Sequence, residues 1–229
     1  MSTIQTDTTL PVAPLAISPL SEHSLIELGL LGNSLVACVS YHETKLARRG
    51  LDALLAKLPI MPKGSIALDI DLSCLMYDHQ HQLVDCVWYG QLRNTNESIR
   101  HGGDALNGAI NFEESLINQE EIRLRPDEID ASVSHLVFVM TSYHHQPLRL
   151  AQKAVASFMD NEQNIAHQFK LDTLPKDCTA LITWHLHRSG DDWLIQSPLM
   201  PITPARQSEQ HINTLDTAIK EYLGKTIRF

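Results

Sequence analysis

What the chain lacks narrows it first. No apolar run reaches the roughly 20 residues a membrane-crossing helix needs. Positive charge is in deficit: 18 Lys and Arg stand against 27 Asp and Glu, a formal net charge of -9. A general nucleic-acid binder wants a basic face for phosphates, so that class is excluded. Cysteine is sparse and never spaced as C-x-x-C. Cys38, Cys74, Cys86 and Cys178 each sit among apolar residues and read as buried free thiols of a reducing compartment. The opening stretch, MSTIQTDTTLPVAPLAISPL, has neither a basic n-region nor a long apolar segment. It is expected to be no signal peptide and no membrane anchor, which points to a soluble, cytoplasmic protein.

What is present is a globular pattern. The chain has 229 residues and is 43% hydrophobic, enough to bury a sizeable core. Residues 1–23, rich in Thr, Pro and Ser, read as a flexible leader. SLVACVSY then reads as a strand. Leu46, Leu51, Leu54, Leu55 and Leu58 fall at helical spacing before Pro59, so a helical insertion is expected over about 43–60. KGSIALDIDLSCLMYD and LVDCVWYG, separated by a polar turn, read as a hairpin. A long polar loop follows, from Gln91 to Glu121. SHLVFVMTSY, KAVASFMD, NIAHQFKLD, TALITWHLHR and DWLIQSPL are further strands with turn signals between them. Ile212, Leu215, Ala218, Ile219 and Tyr222 mark a C-terminal helix within 205–229, with Gly224 placed to cap it. The expected fold is mostly β: an antiparallel β-sandwich over residues 24–204, carrying the inserted helix and followed by the C-terminal one.

One strand poses a chemical question. SIALDIDLSCLMYD is an apolar run cut by Asp69 and Asp71. Residues i and i+2 of a strand face the same side, so the two carboxylates sit together and repel unless something compensates them. Three readings follow. Asp-x-Asp-x-Ser opens the haloacid-dehalogenase-like phosphatases, in which one Asp attacks phosphorus and the other handles the proton; that chemistry needs a doubly wound sheet, and helices do not alternate with strands here. The pair also suits half of a hard-cation site, with further oxygens from the loop between Gln91 and Glu121 and from Asp85. The last reading is two solvent-facing carboxylates with no chemical task.

A resemblance weighs on that choice. DIDLSCLMYD, followed by VDCVWYGQLRNTNESIRHGGDALNG, is similar to the signature of the tellurium-resistance TerD-like family. Asp69, Asp71 and Ser73 match its first element, Asp85, Tyr89 and Gln91 its second, and His101, Gly103 and Asp104 its third. The resemblance implies a β-sandwich that binds calcium through acidic loops. It also implies a non-enzymatic, bacterial, cytoplasmic role in tellurite resistance and stress response, acting through protein partners of the same kind. Asp69, Asp71 and Asp104 carry over as calcium ligands, with Asp85 beside them.

The chain departs from that pattern in places. Gly90 and Ala105 stand where the family has Asn, and Tyr41 where it has Trp. The dense acidic run is replaced by GAINFEESLINQEE, in which Glu120 or Glu121 takes the place of the last Glu and Asn107, Asn111 and Glu114 are possible substitutes. Calcium affinity rises with ligand charge, so the diluted loop leaves open a metal-free interaction module on the same sandwich. His185 and His187 share one side of a strand and could chelate zinc or nickel. No third ligand is placed beside them by sequence, and these two, like His79/His81 and His144/His145, are expected to be exposed polar histidines.

Overall fold

The computed structural model describes residues 19–30, 33–46, 66–103, 119–203 and 211–226. The strands run β1 (Leu20–Ser24), β2 (Leu35–His42), β3 (Lys45–Leu46), β4 (Ile66–Ala67), β5 (Ile70–Tyr77), β6 (Leu83–Val87) and β7 (Ile99–His101). They continue with β8 (Glu120–Leu124), β9 (His135–Ser142), β10 (Gln152–Asp160), β11 (Ile165–Lys170), β12 (Ala180–Ser189), β13 (Asp192–Ser197) and β14 (Met200–Pro201). A helix, α1 (His211–Thr226), closes the order.

Two antiparallel sheets pack into a sandwich. The first has the order β1-β13-β12-β9-β5-β6, with β14 pairing β12; the second has the order β11-β10-β2-β8-β7. β3 and β4 form a separate ribbon. Between the sheets, Phe138 meets Phe158 with ring centres 5.8 Å apart, and Trp184 lies 5.7 Å from Phe158 and 6.0 Å from Phe169. Such edge-on and tilted contacts add to what burial alone contributes. Antiparallel pairing throughout removes the doubly wound sheet that a haloacid-dehalogenase-like phosphatase needs, so that reading of Asp69 and Asp71 falls.

β5 explains its own unbroken hydrophobic look. All eight residues are buried. Ile70, Leu72, Cys74 and Met76 face the second sheet, while Leu75 and Tyr77 face outward under α1. A central strand covered on both sides loses the apolar-polar alternation of a half-solvated one. The cover is Leu215, Ile219, Tyr222 and Leu223 of α1, one stripe at helical spacing. Gly224 does not cap this helix, which continues to Thr226.

A bulge in β12 decides which side chains share that outer face. The register against β9 shifts between Ile182 and Trp184. Thr183 is the extra residue; its Oγ1 donates to the Phe138 carbonyl at 3.0 Å, and its own carbonyl accepts from Ser197 Oγ at 2.6 Å. Ile182 therefore faces α1 while Trp184 faces the core, although the two are i and i+2. The odd-numbered His185 and His187 then follow on the outer side.

Two boundaries differ from expectation. Leu20–Ser24 is an edge strand on β13, so the sandwich begins before residue 24 and the leader is shorter than 1–23; residues 1–18 lie outside the described residues. The first residues of the expected insertion are not helical, since Lys45–Leu46 pairs with Ile66–Ala67. The remainder, 47–65, lies outside the described residues, as does the Gly50 to Pro59 stretch within it.

Candidate functional site

The DIDLS segment sits where the chain turns from the β3–β4 ribbon into β5. Leu68 N donates to the Thr44 carbonyl at 2.7 Å, and the Asp69 carbonyl accepts from Tyr143 N at 2.9 Å. These bonds hold the break between β4 and β5. Leu68, Ile70 and Leu72 point into the core, which turns Asp69, Asp71 and Ser73 to the other face. That face is not open to water: Asp69 is 6% exposed, Asp71 1% and Ser73 0%. Asp71 stands opposite Thr141 of β9, itself 2% exposed. The solvent-facing reading of the two carboxylates is therefore wrong.

A third carboxylate arrives from the second sheet. Glu120 opens β8 with its side chain fully buried, and His101 Nε2 lies 3.1 Å from its Oε2. His101 Nδ1 accepts from Gly103 N at 3.1 Å, which leaves Nε2 as the nitrogen turned toward the carboxylate. Tyr41 links the two sheets, its hydroxyl accepting from Ile70 N at 3.2 Å. Burial raises the Tyr41 phenol well above its ordinary value, and the negative charges of Asp69, Glu120 and Asp71 raise it further. In the sequence Tyr41 stands out only as a departure from a family Trp. Its inward register on β2 marks it as a core residue, but its hydroxyl contact with β5 is set by sheet packing.

Other expected ligands are placed elsewhere. Glu121 lies on the opposite face of β8 from Glu120 and pairs with Arg123; it stands across from Cys38, whose thiol burial first and Glu121 second push up to about 12. Asp85 is fully engaged: Oδ1 accepts from Cys86 N at 2.8 Å and Gln91 Nε2 at 2.9 Å, and Oδ2 accepts from Thr95 N and Oγ1 at 2.8 Å each. It also pairs with Met76, five residues along β5 from Asp71 or about 16 Å. It organises the loop after β6 and cannot share an ion with Asp69. Asp104, Asn107, Asn111 and Glu114 lie outside the described residues. The segment carrying them leaves at Gly103 and returns at Gln119, which flank the His101–Glu120 contact; Gly102 N donates to the Glu121 carbonyl at 2.7 Å and Gln119 N to the Val39 carbonyl at 2.9 Å. Among the described residues, no three His, Cys, Asp or Glu side chains are posed together to hold an ion.

This arrangement can be set beside known proteins. A TerD domain model matches residues 42–197. The chain belongs to the TerD family. It is 25% identical over 130 residues to the tellurium resistance protein TerZ of Serratia marcescens, covering 57% of this chain and 64% of that protein. It is 24% identical over 139 residues to the stress response protein SCP2 of Bacillus subtilis strain 168, covering 57% of this chain and 66% of that one. The match thus spans a little under two thirds of each relative. Two solved structures share the fold, each at a TM-score of 0.57 over 75% of this chain and 90% of the other: a protein of unknown function, SAV2460, at 11% identity, and a TerD homologue, SCO6318 of Streptomyces coelicolor A3(2), at 10%. The named relatives are a tellurium resistance protein and a stress response protein.

The carboxylate site suits a hard cation in its donor chemistry. Asp69, Asp71 and Thr141 offer oxygen alone, and all three are withdrawn from bulk water. No helix among the described residues is long and apolar enough to cross a membrane.

Proposed function

We propose that this TerD-family chain is a calcium-binding, non-enzymatic stress-response protein of the tellurite-resistance type, working in the bacterial cytoplasm through protein partners. The observation that carries the reading is the burial of Asp69 and Asp71 on one face of β5, at the end of the sandwich where the segment between Gly103 and Gln119 is rooted. Two carboxylates withdrawn from water beside that root are oxygen donors of the kind a hard cation takes. Asp69 and Asp71 would hold the ion from the β5 side, and Asp104, Asn107, Glu114 and Asn111 are the remaining oxygen donors proposed for it. Bound calcium supplies positive charge and a fixed set of oxygen contacts that tie the segment to the sheet. The ordered segment then presents a surface to a partner.

Calcium at about 100 times its dissociation constant stabilises the fold by about 2.7 kcal/mol. For a chain of this size that is a rise in melting temperature of roughly 5–10 °C. Differential scanning calorimetry with and without calcium reads it directly. Asp69→Asn and Asp71→Asn should each remove the rise while the chain stays folded. An absent shift at millimolar calcium, in protein with a cooperative transition, defeats the reading.

A second reading has its own observation. Glu120 is engaged with His101, Asp85 with Thr95 and Gln91, and Glu121 with Arg123, so three acids offered as ligands already serve the protein. That pattern favours an interaction module which kept the sandwich and dispensed with the ion. The same calorimetry separates the two readings.

A further inference from the structure

Histidines that stand apart in sequence are gathered on the outer face of the first sheet. His135 opens β9, His185 and His187 follow the bulge on β12, and His81 lies in the β5–β6 turn. Ring centres lie 5.1 Å apart for His81–His135, 5.3 Å for His135–His185, 5.6 Å for His185–His187 and 6.2 Å for His135–His187. The rings line a cavity of about 180 Å³ together with Glu22, Gln196 and Leu223. They are not the exposed pairs expected from sequence: His185 is only 2% exposed.

Two of the rings are held from outside the cluster. His185 Nδ1 accepts from Gln196 Nε2 at 2.9 Å and lies 3.1 Å from the Tyr222 hydroxyl of α1, so Nε2 carries the proton and donates to His135 Nδ1 at 3.1 Å. His187 Nε2 lies 3.5 Å from the Glu22 carboxylate of β1, and its Nδ1 is buried with no hydrogen-bond partner. His81 Nε2 is likewise buried and unpartnered. At His187, a carboxylate orienting one nitrogen while the other faces inward is how metal-ligating histidines are held.

We infer that His135, His185 and His187, with His81 as fourth donor, form a binding site for an imidazole-preferring divalent transition metal of the zinc class, distinct from the carboxylate site. Zinc–nitrogen bonds of about 2.0–2.1 Å place the ring centres of tetrahedral imidazoles about 5 Å apart, close to the spacing seen here. Neutral imidazole is the ligating form. As they stand, the nitrogens do not converge on one point, because His135 and His185 bond to each other. The ion replaces that hydrogen bond as His185 changes tautomer: the proton leaves Nε2, Nδ1–H donates to the Tyr222 hydroxyl, and Gln196 Nε2 keeps its own bond to that hydroxyl. His187 and His81, on the half-exposed rim, complete the set by ring rotation, a small motion for such side chains. On the sheet the cluster lies four to six residues beyond Asp71, about 13–20 Å away.

The test uses the untagged full chain, stripped with chelator and titrated with zinc by calorimetry. Cobalt serves as a spectroscopic stand-in. The expected result is one zinc per chain and a tetrahedral cobalt absorption spectrum. His187→Gln and His81→Asn should each weaken zinc binding by about 10-fold or more. Asn tolerates the left-handed backbone at position 81, where φ is 59°, and both variants lie on the rim, so folding is retained. Tyr222→Phe should weaken it by about 10-fold through the lost orientation of His185. The calcium response of every variant should stay unchanged, which separates this site from the carboxylate site. No zinc uptake by the folded chain, or equal affinity in the His81→Asn, His187→Gln double variant, overturns the inference.

Discussion

At the scale of single residues, a carboxylate is defined by what it already holds. Asp69, Asp71 and Asp85 look alike in sequence. Asp85, partly exposed, accepts four hydrogen bonds that pin the loop after β6, and Asp69 and Asp71 are buried at 6% and 1% exposure. Asp85→Ala should therefore cost about 1–3 kcal/mol in urea denaturation and leave any calcium response intact. Loss of the calcium response in that variant would return Asp85 to the ligand set. Gly90 shows the same point from the other side. A Cβ there would fall 2.5 Å from the Trp88 ring, so this departure from the family's Asn goes with the position of a tryptophan. The spacing of residues 69 and 71 was legible in sequence; their burial was not, because it depends on neighbours supplied by β9 and the second sheet.

At the scale of elements, the strongly patterned ones were legible. β2, β9, β10, β11, β12 and β13 match the strands expected from apolar content within a residue or two, while the long strand expected from KGSIALDIDLSCLMYD is broken between Ala67 and Ile70, leaving β4 and β5. β1, β7 and β8 were not seen, since each has five residues or fewer and carries polar or charged groups. β8 even turns a glutamate inward, satisfied by His101. α1 was legible from its stripe, though not the surface it covers. Its contacts on Leu75, Val137, Val139 and Ile182 make it part of the core rather than a tail. Ile219→Ala, at a position with no exposure, should cost about 2–5 kcal/mol by chemical denaturation. A loss below about 1 kcal/mol would mean that the helix is only loosely docked.

At the scale of the whole molecule, the two sheets of the sandwich and the C-terminal helix bring buried acids to one region and buried histidines to another. The histidines set a pH limit. His135 is held at about 4, below its ordinary 6.5, and His185 is also depressed. Their neutral forms favour the fold above pH 6.5, where the unfolded chain is neutral too. As pH falls from 6.5 toward 4, the unfolded state takes up protons that the folded state refuses, and stability drops through that window. Thermal melts of the chelated chain should show this decline, shallower in His135→Gln. An equal slope in that variant would show that the histidines do not cause it.

The sequence by itself determined the sandwich class, most strands, the helix and the pairing of Asp69 with Asp71, because period-two and helical patterns are local. Only the tertiary structure decided that Glu120 and Glu121 part company, that Asp85 is engaged, and that His81, His135, His185 and His187 meet. Those outcomes follow from strand register, one bulge at Thr183 and the docking of α1, and residues distant in sequence settle each of them.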